Sequence, residues 1–484
     1  MSEIDRLVNG CLLPGFAGGD VPPEWVHDAL QNGLAGVVVY GTNLVDDGAI
    51  ARIALSLRET APDALVAIDE EGGDVTRLDY LHGSAYPGNL ALGVVDDVEL
   101  TYQVASSIAA DLAANGVNYN LAPSVDVNSD PDNPVIGVRS FGADPSRVAA
   151  HGVAYIKGMQ DAGIATAAKH FPGHGATVAD SHHALPTIDV DLSTFRAREL
   201  PPFVAAIQAG ATSVMTSHVV FTALDPDEPA TLSSRILHRL LRDELGYDGV
   251  LVTDALDMQG ASGKYGIAGA AVRAFLAGAD LLLLGSVDGE EHCARIRAGI
   301  AEAIDEGRLD VKTLEAAAAR VDKLRAWAAP GAKATSRTVQ DIGLFAARRA
   351  VQARGDVVLP SAATVVNLSA PANLAVGQAH WSLAEHLVLF DLLAGEFTVT
   401  EQGPTVEQLL SQTPTGPVVL VARDAYRRPW QRDWARSFLA ARPDAVLVAI
   451  GMPDDEKLAT GASVCTFGAG SVNLKAAAEI LAGR

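Results

Sequence analysis

Chemistry concentrates first in KHFPGHGATVADSHHALP, Lys169–Pro186, which holds His170, His174, His182 and His183. Its two glycines and two prolines suit a long, shaped loop after a strand. Within it Asp180 stands two residues before His182. A carboxylate beside an imidazole fixes its tautomer and favours the protonated ring, which makes a general acid/base near neutral pH. A solvated His-rich loop and a metal site are the alternatives, although no HExxH-type helical pair is present. In VLVTDALDM, Val250–Met258, Asp254 ends a β-rich run, and Asp257 three residues on suits a helix cap. In AIDEEGGDVTR, Ala67–Arg77, Asp69 precedes Gly72-Gly73 and could grip ligand hydroxyls as a charged acceptor. A turn carrying solvated acids is the plainer alternative. Arg77, and Arg139 in GVRSFG, could donate to hydroxyl or carbonyl oxygens or form structural ion pairs. No GxGxxG or GxxxxGK[ST] follows a strand-like run, and there is no GxSxG elbow.

Eight apolar runs could carry these residues: Gly36–Gly41, Leu65–Asp69, Leu90–Gly93, Tyr119–Val127, Ala165–His170, Ser213–Val220, Gly249–Asp254 and Ala279–Gly285. Continuous apolar runs fit strands buried on both faces of a parallel sheet. Amphipathic helical patterns separate many of them: Val98–Asn115, Val148–Ala162, Leu192–Ala209, Ser233–Leu245 and Val287–Glu306. Polar residues gather where several runs end: Asp69-Glu70, Lys169-His170, Ser217-His218 and Asp254. A closed barrel builds its site from many strand ends, whereas an open sheet uses one switch point. The expected fold is therefore α/β, a (β/α)8 TIM-type barrel followed by a smaller α/β sandwich domain.

The barrel is expected over residues 1–328 and a linker over 329–345, centred on PGAKATSRT at Pro330–Thr338. The second domain is expected over 346–484, with strand-like runs at Thr364–Leu368, Glu385–Asp391, Pro417–Ala422 and Ala445–Gly451. Helical patterns there cover Arg432–Ala441 and Leu474–Ala482, and Ser463–Gly470 suits a loop.

The 484 residues are 49% hydrophobic and 20% charged, which excludes disorder as the dominant state. A formal charge of −23 would repel nucleic acid. Cys11, Cys293 and Cys465 make neither a disulfide framework nor a zinc knuckle. MSEIDRLVNG lacks a basic stretch followed by an apolar core, and runs such as Leu281–Gly285 are too short to cross a bilayer. The expectation is a cytoplasmic protein that needs no membrane.

Together AIDEEGGDVTRL, GVRSFG, AAKHFPGHGATVADSHHALP, PATLSSRIL and ELGYDGVLVTDALDM resemble glycosyl hydrolase family 3, specifically its β-N-acetylglucosaminidase branch. They occur in the family's order across about residues 13–285. The KHFPGHG…DSH combination separates this branch from the family's β-glucosidases, which carry a carboxylate acid/base in the second domain. The resemblance implies a retaining exo-β-N-acetylglucosaminidase acting on terminal β-linked N-acetylglucosamine of cell-wall or chitin-derived saccharides. It implies Asp254 as nucleophile, and His182 as acid/base with Asp180 as its partner. Asp69, Arg77, Arg139, Lys169 and His170 would hold the sugar, His174 would shape the loop, and Met258 would line the N-acetyl pocket. No metal or other cofactor is implied. An imidazole base, unlike a carboxylate, does not repel an anion, so phosphorolysis with inorganic phosphate is the alternative reaction. The sequence departs from the commonest pattern at His183-Ala184. A non-catalytic sugar-binding protein is the third expectation.

Overall fold

The computed structural model describes residues 2–177, 185–329, 339–369, 375–377, 380–412 and 416–484. They form two compact units. The first comprises Met1–Glu71, Val98–Ile136 and Gly142–Val339; the second comprises Gly72–Asp97, Gly137–Phe141 and Gln340–Arg484.

The first unit is built on parallel strands β1 Leu12–Pro14, β2 Gly36–Val39, β3 Leu65–Ile68, β4 Tyr119–Asn120, β5 Ala165–Phe171, β6 Ser213–Thr216, β7 Val250–Val252 and β8 Leu282–Leu284. Strands β2 to β7 form one ladder in sequence order, and β8 pairs with β1. A parallel bridge from Val252 to Leu281 joins β7 to the start of β8. Ala35 N donates to Asn9 O just ahead of β2 and β1, bringing the remaining edges side by side. This is the barrel that the alternating pattern predicts.

Its interior follows from strand periodicity. Leu13, Val38, Leu65, Ala67, Tyr119, Ala165, Ala167, Met215, Val250, Val252 and Leu283 form one buried cluster. Inward side chains of successive strands meet there, as barrel closure requires. The Tyr119 hydroxyl, buried among them, lies 2.7 Å from Ser213 Oγ. Val321 and Leu324 of helix Val311–Trp327 join the cluster.

Two expected strands prove to be helices. Leu90–Gly93 lies in helix Asn89–Val95 of the second unit, and the barrel's first strand is Leu12–Pro14 instead. Short apolar runs do not distinguish a strand from a buried helical turn. In the second unit, Glu385–Asp391 gives way to helix Leu383–Val388, which buries Leu383, Ala384 and Leu387. Ser382 caps that helix by accepting from Glu385 N at 3.3 Å. The expected helix Leu192–Ala209 divides into Leu192–Arg198 and Leu200–Gln208, with Pro201-Pro202 at the start of the second.

The second unit has a six-stranded sheet: β9 Gln352–Arg354, β10 Ala363–Leu368, β11 Leu393–Val399, β12 Val418–Ala422, β13 Val446–Ala449 and β14 Ser463–Cys465. The spatial order is β9-β14-β13-β12-β10-β11, with only β9 antiparallel. One face packs Val365, Val419, Val448 and Val464 on Leu383, Leu387 and Leu474. The other packs Val366, Leu420 and Leu447 on Phe438 and Leu439. The loop expected at Ser463–Gly470 therefore begins as a strand, whereas Pro330–Thr338 lies outside the described residues.

Asp280, just before β8, ties several barrel elements together. Its carboxylate accepts from Leu251 N at 2.8 Å and pairs with Arg320 at 3.1 Å and with Arg242. Burial pushes its pKa up against the pull of both guanidiniums. Removing one partner of a buried ion pair leaves uncompensated charge. Asp280→Ala should therefore cost about 3–5 kcal/mol in urea unfolding. A loss within the range of ordinary surface substitutions would show that Asp280 is not such a tie.

Candidate active site

The strand ends of the first unit carry a connected set of charged side chains. Asp69 follows β3 and Lys169 lies within β5, and Lys169 Nζ sits 2.7 Å from both Asp69 Oδ1 and Glu71 Oε1. Lys169 is only 2% exposed, so its ammonium needs these carboxylates in place of water. The chain after Asp69 is clamped as well. Asn120 accepts from Glu70 N at 3.0 Å and donates to Glu70 O at 2.8 Å, while the Tyr155 hydroxyl donates to the same carbonyl at 2.9 Å.

Asp126 organises the next turn. It is fully buried and accepts from His170 Nδ1 at 2.7 Å, His174 N at 2.7 Å, His170 N at 3.2 Å and Ser124 Oγ at 2.9 Å. Burial raises a carboxyl pKa, but the attraction of His170 and the hydrogen bonds outweigh it, holding Asp126 below its ordinary value. The bond from Nδ1 also sets the orientation of the His170 ring. His174 meets that ring edge-on at 5.8 Å and lies 3.0 Å from Thr177 Oγ1 through Nδ1. Burial, then the neighbouring His170, lowers the His174 pKa to about 4, so near neutral pH it is an uncharged spacer. Gly175 packs so tightly that a Cβ there would lie 1.8 Å from Val127 O.

Asp254 stands two residues beyond β7, half-buried, and accepts from Ala255 N at 2.8 Å. Its charge acts on His174, raising the affinity of that ring for a proton. Asp257 accepts from Gly285 N at 2.7 Å after β8, so its role is structural, as a tie to the next strand and not as the cap of helix Gln259–Ser262. Met258 is half-buried at the start of the short helix Gln259–Ser262.

The structure thus brings Asp69 to Lys169, and His170 to His174. Arg77 and Arg139 belong to the second unit. There Arg77 donates to Ala375 O at 2.8 Å and lies over the Tyr80 ring, while the Arg139 carbonyl accepts from Asn89 Nδ2 at 2.6 Å. Asp180 and His182 lie outside the described residues. Among the described residues no group of three His, Cys, Asp or Glu side chains could hold a metal ion. No described helix is long and apolar enough to cross a membrane.

Asp126, Glu71 and His218 join the site beyond the residues expected from the sequence. Asp126 sits in YNLAPSVDV, six residues beyond β4, so no strand-end position marks it. His218 Nε2 donates to Ala255 O at 3.0 Å and so fixes the residue after Asp254.

Glu199 is a further buried acid beside this turn. Its Oε1 accepts from Arg198 Nε at 2.6 Å, while Oε2 has no hydrogen-bond partner among the described residues. A Cβ on Gly173 would come within 2.8 Å of that Oε2. Burial pushes the Glu199 pKa up to about 7, against Arg198.

The sequence profile of the Glycosyl hydrolase family 3 N terminal domain matches residues 19–324, and the chain belongs to that family. It is 36% identical over 331 residues to Beta-hexosaminidase A of Pseudoalteromonas piscicida, covering 63% of this chain but only 55% of that protein. It is 37% identical over 280 residues to a Beta-hexosaminidase of Xylella fastidiosa strain M23, covering 56% of this chain and 82% of that one. The solved structure of a family 3 β-N-acetylglucosaminidase from Paenibacillus sp. str. FPU-7 superposes with a TM-score of 0.90 at 32% identity. That superposition covers 100% of this chain and 97% of the other.

Glu199 generates a prediction with a definite sign. Its folded-state pKa of about 7 lies above its ordinary value of 4.5. Its contribution is therefore fully present below that ordinary value and is lost as pH rises through about 7. Glu199→Gln removes the ionisation while keeping an acceptor for Arg198. Relative to wild type, the variant should gain about 2 kcal/mol between about pH 5 and about pH 8. Denaturant melts across that range measure it, and a pH-independent difference would refute the assignment.

Proposed function

We propose that this chain is a retaining exo-β-N-acetylglucosaminidase. The observation that carries the reading is the half-buried Asp254 carboxylate beyond β7, on the same barrel as the strand-end pair Asp69–Lys169 and the Asp126-bound His170. The beta-hexosaminidase names of its relatives support the sugar class.

In this reading Asp254 attacks the anomeric carbon, forming a glycosyl–enzyme ester as the aglycone oxygen leaves. His182 in its protonated form gives that oxygen a proton, then as neutral imidazole takes one from water in the second step. Asp180 favours the cation and so supports the first step. The donor is an imidazolium, so the usual spacing rule for two carboxylates does not apply. Asp69 accepts from sugar hydroxyls, with its charge balanced by Lys169, while the His170 ring is held by Asp126. Arg77 and Arg139 donate to the sugar, His174 packs the turn that leads into the His182 segment, and Met258 lines the N-acetyl pocket. The substrates are β-linked N-acetylglucosaminides from cell wall or chitin, and the compartment is the cytoplasm.

Asp254→Ala should lower kcat on an aryl β-N-acetylglucosaminide on the order of 10³-fold or more with an unchanged melting curve. Full activity in this variant would remove the nucleophile assignment. His182→Ala should lose more activity with a poor leaving group than with an activated one, because the latter needs little protonation. Equal losses would argue against a general acid. Product analysis with and without phosphate completes the test. Free N-acetylglucosamine in both cases means hydrolysis, and N-acetylglucosamine 1-phosphate formed only with phosphate would replace hydrolysis by phosphorolysis.

A further inference from the structure

The second unit holds a cavity of about 740 Å³, which falls in the size range of small-molecule sites. All of its described lining residues belong to that unit. Its location follows from topology. Strand β10 comes first among the parallel strands of the sheet, yet it lies between β11 and β12. The chain therefore winds in opposite directions on the two sides of β10. Open α/β sheets bind ligands outside the carboxyl ends of the strands at such a switch point. Leu368 and Ser369 at the end of β10, Thr398 near the end of β11 and Arg423 just past β12 line the cavity.

The side-chain pattern makes a stronger case. Along β10, Ala363, Val365 and Asn367 point to one face of the sheet because strand side chains alternate. Ala363 and Val365 belong to the apolar cluster on that face, whereas the next position is an amide. On β11 the registered partners of Val365 and Asn367 are Glu396 and Thr398. Asn367 Nδ2 donates to Glu396 Oε1 at 2.7 Å. The apolar face thus turns polar where it forms the cavity floor, a departure that packing alone does not require.

The wall is Trp381, with the Arg423 guanidinium 4.2 Å from its ring centroid. Arg423 is buried and ion-paired with Asp74, which also accepts from Ala469 N at 2.8 Å. Its positive charge is therefore already balanced. His380 lies 2.9 Å from Glu385, another lining acid. The exposed carboxylates Glu385 and Glu396 disfavour an anion. An aromatic wall beside a floor of amide, carboxylate and hydroxyl suits the apolar C–H surfaces and hydroxyls of a sugar.

We propose that this cavity is a binding site for a neutral saccharide. The proposal stands on the second unit alone and does not depend on what the barrel catalyses.

The chain contains five tryptophans, so 5-fluorotryptophan labelling gives a small set of fluorine resonances. Trp381→Phe assigns the one at the cavity. N-acetylglucosamine, glucose and xylose are then titrated separately, with inorganic phosphate as a fourth probe. At least one sugar should move the Trp381 resonance saturably. Asn367→Val, which continues the apolar row, should weaken that response about tenfold or more while leaving the melting curve unchanged. Should that variant fold poorly, Glu396→Gln on the exposed strand face serves the same purpose. The proposal is overturned if no sugar moves the resonance, if the floor variants bind as wild type, or if only phosphate moves it.

Discussion

A buried carboxylate holds the barrel's candidate site together. Asp126 has no access to water, so its charge is tolerable only if protein donors replace hydration. Those donors include the ring and backbone of His170 and the backbone of His174. Satisfying one acid therefore dictates the path of the chain through Lys169–His174. Lys169 obeys the complementary rule, since its ammonium is buried against Asp69 and Glu71. The acids β3 presents and the bases β5 presents are thus mutually required. Losing either side would leave a buried charge unpaired, which costs more than the pair contributes.

The same burial separates the titratable groups into distinct tasks. His174 is kept neutral near pH 7 by desolvation and by His170, which suits a packing element beneath a charged turn. Glu199, against Gly173, is moved in the opposite sense, so its proton affinity comes close to neutrality. The three cysteines are all buried, and burial raises each thiol pKa, so they behave as small apolar residues.

Much of this was legible in the sequence, for identifiable reasons. Seven barrel strands overlap apolar runs, because a strand buried on both faces has little room for polar residues. Leu12–Pro14 escaped notice because three residues beside Pro14 give too short a pattern, and its pairing with Leu282–Leu284 spans most of the barrel sequence. LALG was misplaced because its helix buries nearly every side, erasing the period that separates helix from strand. Asp69, Lys169, His170 and Asp254 were visible as polar residues at strand ends. Asp126 was not, because its role depends on folding His170 and His174 back onto it, some 44 and 48 residues along the chain. The membership of Arg77 and Arg139 in the second unit is likewise a long-range fact. It rests on contacts such as Arg77 with Ala375 that no local spacing encodes.

The two units apply one rule in two geometries. Parallel strands direct their carboxyl ends to one side, where the ladder stops and side chains are released from packing. A closed ring presents many such ends at once, so its polar groups can come from β3, β5, β6 and β7 together. An open sheet offers a crevice only where the winding reverses, here beside β10. That difference explains why the barrel's chemistry is spread over distant motifs, whereas the polar departure in the second unit is confined to Asn367 and its neighbours on β11. Asn367 is half-buried, at the point where the apolar row of Ala363 and Val365 gives way to the exposed Glu396 and Thr398, so the change from packing to polar chemistry is made within two residues of one strand.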